Sequence, residues 1–160
     1  MSNSIRAATA DDIAAVEQIV ALAYRPYTAR IGRAPAPMTA DYRALLPHTH
    51  VLIADDAVAG VLVAIPAADH LLVDNVAIDP RHRGRGFGRR LLEYAEQQAQ
   101  NRGLPALRLY TNAAMTENLS LYPYLGYTEV GRGTQDGFER VFFSKALPRM
   151  KSASPGHPGR

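Results

Sequence analysis

Residues 83–88 read Arg-Gly-Arg-Gly-Phe-Gly and stand between two strongly patterned stretches. Before them, residues 70–78 are apolar and β-branched enough to predict a strand, which Asp79-Pro80 ends. After them, residues 86–102 carry apolar side chains at helical spacing, and Gly103 follows as a helix stop. The succession of strand, glycine-rich turn and helix predicts a layered fold of helices on a sheet.

The glycine-rich turn is suited to binding a phosphate. Its glycines leave the backbone open to a ligand, and the first N–H groups of the following helix point towards that ligand. Five arginines between positions 81 and 90 add charged donors. No Gly-Lys-Ser/Thr follows, and Arg89 occupies the third glycine position of a dinucleotide motif. A pyrophosphate cradle is therefore favoured over a purely structural turn with a solvated basic face.

The other predicted elements extend this unit into one α/β (α+β) domain over residues 1–147. The first helix follows a capping box formed by Thr9 and Asp12 and ends before Pro26. Residues 27–38 contain Gly32, Pro35 and Pro37 and predict an irregular loop. The remaining predictions are strands at 4–8, 50–54, 58–65, 106–110, 127–131 and 138–147 and helices at 41–46 and 115–125.

The positive charge is confined to two regions. The net charge is +3 and the isoelectric point is about 9.4, but residues 148–160 hold three of the 18 basic residues and no acid. This tail is rich in Pro, Gly and Ser, and we expect it to be disordered. The body is neutral apart from its arginine cluster. That pattern favours a compact anionic ligand over a nucleic acid.

Several function classes are excluded by composition. The chain has no cysteine, which removes disulfides, thiolate metal sites and a cysteine nucleophile. Its five histidines lack ligand spacing, so no metal is expected. Residues 1–6 contain no apolar signal segment, and the chain has no run of about 18 apolar residues. We therefore expect a cytoplasmic protein that binds no membrane.

Two blocks resemble the GCN5-related N-acetyltransferases (GNAT). Arg83-x-x-Gly86-x-Gly88 is similar to the acetyl-CoA signature of that family, and residues 118–127 resemble its segment after the fifth strand. The resemblance covers residues 5–147 and is closest over 71–127. It implies a central mixed, mostly antiparallel sheet of six to seven strands with about four helices, in the order βααβββαβαββ. It also implies an N-acetyltransferase with acetyl-CoA as cosubstrate.

The resemblance implies a set of CoA contacts as well. The pyrophosphate would lie on the amides of residues 83–89, and the pantetheine arm would run beside the strand at 72–78. A bulge would separate that strand from the next, and an N–H near Val76 or Ala77 would polarise the thioester carbonyl. The implied cofactor-binding residues are Val76, Ala77, Ile78, Arg83, Gly84, Arg85, Gly86, Phe87, Gly88, Arg89, Asn118 and Tyr122.

Catalytic residues follow from the same resemblance. Tyr122 matches the usual acid of the family, and a phenol with a pKa near ~10 stays protonated at neutral pH. The alternative for Tyr122 is a core aromatic, while Tyr124 is expected to face elsewhere. Asp74 is the first choice for the general base that takes the proton of the amine. His50 and His70 remain alternatives for that base.

The acceptor site is predicted beside the first helix. Tyr24, Tyr27, Arg30 and Asn75 are the expected acceptor-binding residues, with Arg30 as the partner of an acceptor carboxylate. The alternative is a loop that only packs on the core. Expected partners are a small-molecule or peptide amine but no nucleic acid, with a homodimer left open. A non-catalytic acyl-CoA-binding module and a nucleic-acid-binding protein are the competing functions.

Overall fold

Seven strands form one mixed sheet in the computed structural model, which describes residues 3–148. Their order across the sheet is β1-β2-β3-β4-β5-β7-β6, and only β4 and β5 pair in parallel. The strands are β1 (Ser4–Ala7), β2 (Thr49–Ala54), β3 (Ala57–Pro66), β4 (Leu71–Ile78), β5 (Ala106–Asn112), β6 (Thr128–Gln135) and β7 (Phe138–Ala146). The mixed, mostly antiparallel sheet predicted from the sequence is confirmed.

Helices cover both faces of this sheet and create two hydrophobic cores. The helices are α1 (Ile13–Tyr24), α2 (Thr28–Ile31), α3 (Ala36–Thr39), α4 (Phe87–Asn101) and α5 (Thr116–Tyr124). One core lies against α4 and contains Leu91 and Phe143, and the other lies against α1 and contains Val16 and Val61. Apolar residues on alternate sides of β3 serve both cores, which fixes the sheet as the middle of three layers.

Strand β4 carries the irregularity that opens the molecule. Its pairing with β3 shifts by one residue at Asp74, since Val63 pairs with Asn75 while Ala64 pairs with Val73. This extra residue is a β-bulge, which bends the strand and twists it away from a neighbour. The parallel pairing of β4 with β5 covers only Leu71 to Val73, so the two strands separate beyond the bulge. The expected bulge is thereby confirmed.

Two predictions about the segment between β1 and β2 are wrong. In place of the helix predicted at 41–46, residues 42–45 form turns and Leu46 begins a short 3-10 helix. Asp41 accepts bonds from the N–H groups of Arg43 and Ala44, which competes with helical pairing. The segment predicted to be irregular contains α2 and α3 instead, with Gly32 at a φ of 91° after α2. The two short helices therefore supply the second helical position of the predicted order.

Two further expectations concern regions beyond the sheet. Residues 149–160, most of the predicted disordered tail, lie outside the described residues. Within residues 3–148, no helix has the length and apolar character needed to cross a membrane.

Candidate active site

The gap between β4 and β5 holds two adjoining cavities. The larger is a groove of about 540 Å³ that extends to the start of α4. The smaller is a pocket of about 60 Å³ beside the bulge of β4, which we call the inner cavity. The residues that line both are Tyr24, Val76, Met115, Asn118 and Tyr122. A ligand in the groove and a second ligand in the inner cavity would therefore meet at this junction.

The start of α4 forms the glycine-rich end of the groove. Gly86 is the N-cap residue with a φ of 77°, and Gly84 has a φ of 79°; both values favour glycine. The first helical bond runs from the N–H of Arg90 to the carbonyl of Gly86, so the N–H groups of residues 87–89 have no helical partner. No atom lies within 4 Å of a Cβ built at Gly86. Open donors and open space at a helix N-terminus suit an anion.

The arginine cluster divides between structural and groove-facing side chains. Arg81 forms an ion pair with the buried Asp79 at 2.7 Å, and Arg85 forms one with Asp55 at 3.0 Å. Arg90 donates to the backbone of Asn3. Arg83 and Arg89 line the groove. Two of the five arginines thus line the groove, and the other three bind groups of the protein itself.

The predicted cofactor residues fall into two groups. Among them, Phe87 is buried in the core, and neither Gly84 nor Arg85 borders the groove. The predicted residues that do line the groove are Val76, Ala77, Ile78, Arg83, Gly86, Gly88, Arg89, Asn118 and Tyr122. Asn118 also donates from Nδ2 to Oγ1 of Thr111 at 2.9 Å, which ties α5 to β5.

Tyr122 lies at the junction of the two cavities. Its ring packs against those of Tyr127 and Phe143, with centroids 5.7 and 5.6 Å away. Burial raises the pKa of its phenol to about 12, because an apolar setting disfavours the phenolate. Tyr124, two residues later on α5, is 79% exposed and lines the groove but not the inner cavity, so the expectation that it faces elsewhere holds for the inner cavity alone. Tyr122 is therefore both a core aromatic and a residue of the site, because its ring packs against Tyr127 and Phe143 and also lines the junction of the two cavities.

Asp74 is the carboxylate of the inner cavity. The bulge in β4 brings it towards β5, where its Oδ1 accepts a 2.7 Å hydrogen bond from the hydroxyl of Tyr110. Burial, with Asp74 nearby, raises the pKa of Tyr110 well above its usual value, so this hydroxyl remains a donor. His50 bonds to Tyr94 and His70 to Asp69, and neither histidine lines either cavity. The structure therefore favours Asp74 over both histidines as a base.

A chain of polar side chains holds the wall of the inner cavity. The hydroxyl of Tyr24 donates to Oδ1 of Asn75 at 2.7 Å, and Nδ2 of Asn75 donates to the hydroxyl of Tyr42 at 3.0 Å. Tyr42 in turn donates to the carbonyl of Pro37. Both amide atoms of the buried Asn75 are thus engaged within the protein. Asn75 orients Tyr24 and also lines the inner cavity, and its direct contact with the acceptor stays a prediction.

The other two predicted acceptor residues lie outside the inner cavity. Arg30 forms a bidentate ion pair with Glu117, at 2.7 and 2.8 Å, and donates to the carbonyl of Ala114. Its guanidinium is therefore paired within the protein and Arg30 borders neither cavity, so its contact with an acceptor carboxylate stays a prediction. Tyr27 borders the groove and contacts Arg30.

Two residues of the site were missed in the sequence. Tyr110 and Arg140 line the inner cavity from β5 and β7, and the guanidinium of Arg140 lies 4.1 Å from the centroid of the Tyr110 ring. Pairing across the sheet brings them together, since Asn112 pairs with Arg140 and Tyr110 with Phe142. The sequence signal that could have identified Arg140 is its place between Phe138 and Phe142, every second residue of a strand and therefore on one face of it.

Metal-binding groups are not gathered at this site. Across residues 3–148, no three His, Asp or Glu side chains come together in a way that could hold an ion. Tyrosines, arginines, one carboxylate and backbone amides are among the groups that line the two cavities.

Comparison with known proteins gives one family. Residues 16–127 match the model of the acetyltransferase (GNAT) family. A ribosomal protein bS18-alanine N-acetyltransferase of Salmonella typhimurium is 35% identical over 78 residues, which cover 49% of this chain and 53% of that protein. The chain thus spans about half the length of the relative that it matches in sequence.

Solved structures share the fold. The ribosomal-protein-S18-alanine N-acetyltransferase of Escherichia coli superposes with a TM-score of 0.73 at 20% identity, over 98% of this chain and 99% of that one. The PaiA N-acetyltransferase of Thermoplasma acidophilum, in complex with coenzyme A, gives a TM-score of 0.74 at 18% identity, over 92% and 100%.

Proposed function

Because the chain belongs to the acetyltransferase (GNAT) family, we propose that it is an acetyl-CoA-dependent N-acetyltransferase that acts on a primary amine. One observation carries the proposal. Tyr122 lies where the groove from the glycine-rich turn meets the inner cavity, which contains Asp74. A proton donor and a proton acceptor thus flank the place where two ligands would meet. Residues 1–147 form the single catalytic domain in this proposal.

The groove takes acetyl-CoA as the cosubstrate. The N–H groups at the start of α4 and the side chains of Arg83 and Arg89 bind its pyrophosphate. Beyond the bulge, β4 is released from β5, so the backbone of residues 76–78 is open to the amide groups of the pantetheine arm. An N–H of Val76 or Ala77 donates to the thioester oxygen as negative charge develops on it.

Asp74 prepares the acceptor for attack. An amine is protonated near neutral pH and has no lone pair until it loses that proton. Asp74, held by Tyr110, accepts the proton directly or through water. The neutral nitrogen then attacks the carbonyl carbon within a ternary complex. The C–N bond forms, the C–S bond breaks, and the electron pair of that bond goes to sulfur.

Tyr122 stabilises the departing sulfur. With a pKa of about 12, it is a phenol throughout the physiological range and donates a hydrogen bond as the thiolate forms. A thiolate of ordinary pKa, ~8.5, is a weaker base than the Tyr122 phenolate, so Tyr122 keeps its proton and the thiolate takes a proton from solvent as CoA leaves as the thiol. The products are an N-acetyl amide and free CoA, and the second proton of the amine passes to solvent.

The acceptor is a small molecule or a peptide in this proposal. The bS18-alanine N-acetyltransferase matched in sequence acts on a ribosomal protein alanine, which makes a peptide amine one class to test. A cytoplasmic location stays a prediction.

Two measurements on the full chain test the proposal. Acetyl-CoA should raise the melting temperature, and free thiol should appear when amino acids, polyamines, aminoglycosides or short peptides are added. Absence of a thermal shift at millimolar acetyl-CoA would overturn the proposal. Binding without turnover across the panel would favour a non-catalytic acyl-CoA-binding module.

A further inference from the structure

Arg140 is a buried cation without a carboxylate partner. It lines the inner cavity and is only 8% exposed. Its Nη1 donates to Oε1 of Gln135 at 2.7 Å, and its guanidinium faces the rings of Tyr110 and Phe138. None of the ion pairs within residues 3–148 includes Arg140. The residues outside that range contain neither Asp nor Glu.

The contacts of Arg140 leave its charge unbalanced. A guanidinium has five N–H donors, and one amide oxygen uses a single one of them. Arginine is rarely buried unless it is paired, because desolvation of a charge is costly. A carboxylate is the group that matches the planar fork of the guanidinium with two parallel bonds. A buried and unpaired arginine in the wall of a cavity therefore indicates an anionic ligand.

Tyr110 separates this cation from the carboxylate of the same cavity. Its hydroxyl donates to Asp74, while the face of its ring lies 4.1 Å from the guanidinium of Arg140. The inner cavity thus presents one negative and one positive group, held apart by a rigid ring. Complementary groups on a ligand are an ammonium and a carboxylate.

The cavity is also small and covered. Its volume of about 60 Å³ is about a ninth of the volume of the groove, which is about 540 Å³. The start of α3, at residues 35–37, lines one side and forms its cover. Arg33, just before this start of α3, donates to the carbonyl of Asp136 at 2.6 Å and lies 3.7 Å over the ring of Phe138. These contacts fasten the cover to the β6–β7 hairpin, which favours a short acceptor over a polypeptide.

On the basis of the proposed function, we infer that the acceptor is a small free amino acid. Its amine lies towards Asp74 and the junction with Tyr122, and its carboxylate binds Arg140. Arg140 is then the residue that selects for the carboxylate, the part that the sequence assigned to Arg30. The chemical step is unchanged: the amine is acetylated, and the carboxylate takes no part in bond making or breaking.

The test compares acceptors that differ only in the carboxylate. Glycine, alanine, β-alanine and γ-aminobutyrate are each paired with the corresponding carboxamide, and an amidated alanine-terminated peptide is included. Thiol release by the full chain gives kcat/KM for each. We expect the acid of at least one pair to exceed its amide by about 10- to 100-fold, the range for loss of a charge-assisted hydrogen bond. Equal use of acid and amide, a preference for the peptide, or use of neither member would overturn the inference.

Variants locate the selectivity. Arg140→Gln should remove the preference for the acid, mainly through KM, and Arg140→Lys should restore part of it. Arg132→Gln is the matched control, because Arg132 lies on the same hairpin but is exposed and paired with Glu129. Retention of the preference by Arg140→Gln would overturn the inference. If Arg140→Gln does not fold, the acid and amide pairs with the unaltered protein still decide the matter.

Acetyl-CoA binding distinguishes a failure of the amino acid inference from a failure of the proposed function. A thermal shift with acetyl-CoA, and turnover of amines that lack a carboxylate, would support the proposed function while overturning the amino acid inference. Loss of the thermal shift would overturn the proposed function itself.

Discussion

The hydroxyl of Tyr110 donates a 2.7 Å hydrogen bond to Oδ1 of Asp74 across the gap where β4 and β5 have separated. Parallel neighbours would normally fill this space with their own backbone pairing. The bulge at Asp74 ends that pairing after Val73 and replaces it with a side-chain contact. The same local irregularity therefore opens the cleft and places a carboxylate in it.

Removal of the Tyr122 hydroxyl tests its place at the junction. We expect Tyr122→Phe to lower kcat by about 100-fold or more, the usual range for a general acid, while the Kd for acetyl-CoA changes little. Steady-state kinetics and calorimetric titration measure the two. Tyr94→Phe is the control, since Tyr94 lies on α4, bonds to His50 and lines neither cavity. An equal loss in both variants, or none in Tyr122→Phe, would remove Tyr122 from the mechanism.

The alkaline pH profile is a separate test of Tyr122. Burial raises the pKa of its phenol to about 12, and the group must be protonated to act. The rate should therefore stay level through pH 10 and decline only as pH approaches 12, whereas an ordinary tyrosine would begin to fail near 10. We would measure kcat from pH 7 to about 10.5 at saturating substrates. A decline centred near pH 10 that Tyr122→Phe lacks would contradict this assignment.

Asp74→Asn should impair the enzyme most where the acceptor amine is protonated. We expect kcat/KM to fall by about 100-fold at neutral pH, with a smaller deficit at pH 9 to 10, because the neutral amine then no longer needs a base. Tyr110→Phe removes only the bond that orients Asp74, so its loss should be smaller. A deficit in Asp74→Asn that does not change with pH would argue against a base at this position.

Alanine substitution at two glycines with similar backbone angles separates the effect of backbone strain on stability from an effect on ligand binding. Gly86 at the start of α4 has a φ of 77°, and Gly103 just beyond its end has a φ of 72°; neither has an atom within 4 Å of a built Cβ. Alanine at either position should cost about 1–2 kcal/mol of folding free energy. Only Gly86→Ala should also weaken acetyl-CoA binding, by tenfold or more, since its methyl group would enter the space in which the start of α4 binds the pyrophosphate. Equal affinity of the two variants for acetyl-CoA would contradict pyrophosphate binding at this place.

Acid stability should depend on Asp12. Arg6 donates to both of its carboxylate oxygens and holds its pKa at about 2, below the usual value. A lowered pKa means that this stabilisation is present above about pH 4 and is lost as pH falls towards 2. Asp12→Asn should therefore cost about 1–2 kcal/mol near neutral pH and less at pH 2.5. Chemical denaturation at both values, with the exposed Asp11→Asn as control, measures it; a cost that does not change with pH would contradict the ion pair.

The sequence predicted most of the architecture, because local signals and burial agree there. The α4 helix has buried residues at helical spacing between a glycine-rich start and Gly103, and each of these features acts over a few residues. The segment at 41–46 failed because Asp41 binds backbone N–H groups and forms turns. The pattern of apolar and polar residues does not show whether these side-chain bonds or the helical backbone bonds are more stable.

The site was predicted in part, according to how far apart its members lie in the chain. The glycine-rich turn and Tyr122 belong to compact motifs and were found. Arg140 was not identified, and the partner of Arg30 was not foreseen, because charge in the sequence does not tell which arginine has a partner. Glu117, 87 residues from Arg30, neutralises it, and the strand pairing of β5 with β7 brings Arg140 to Tyr110.

Acetyl transfer itself is most directly measured with acetyl-CoA labelled with an isotope in the acetyl group. The full chain would be incubated with this compound and a panel of amines, and the products followed by mass spectrometry while free thiol is counted. The proposed function requires the label to appear in an N-acetyl amide in equal amount to the thiol released, and both to fall together in Tyr122→Phe. Thiol without labelled amide, or no thiol with any amine, would contradict it.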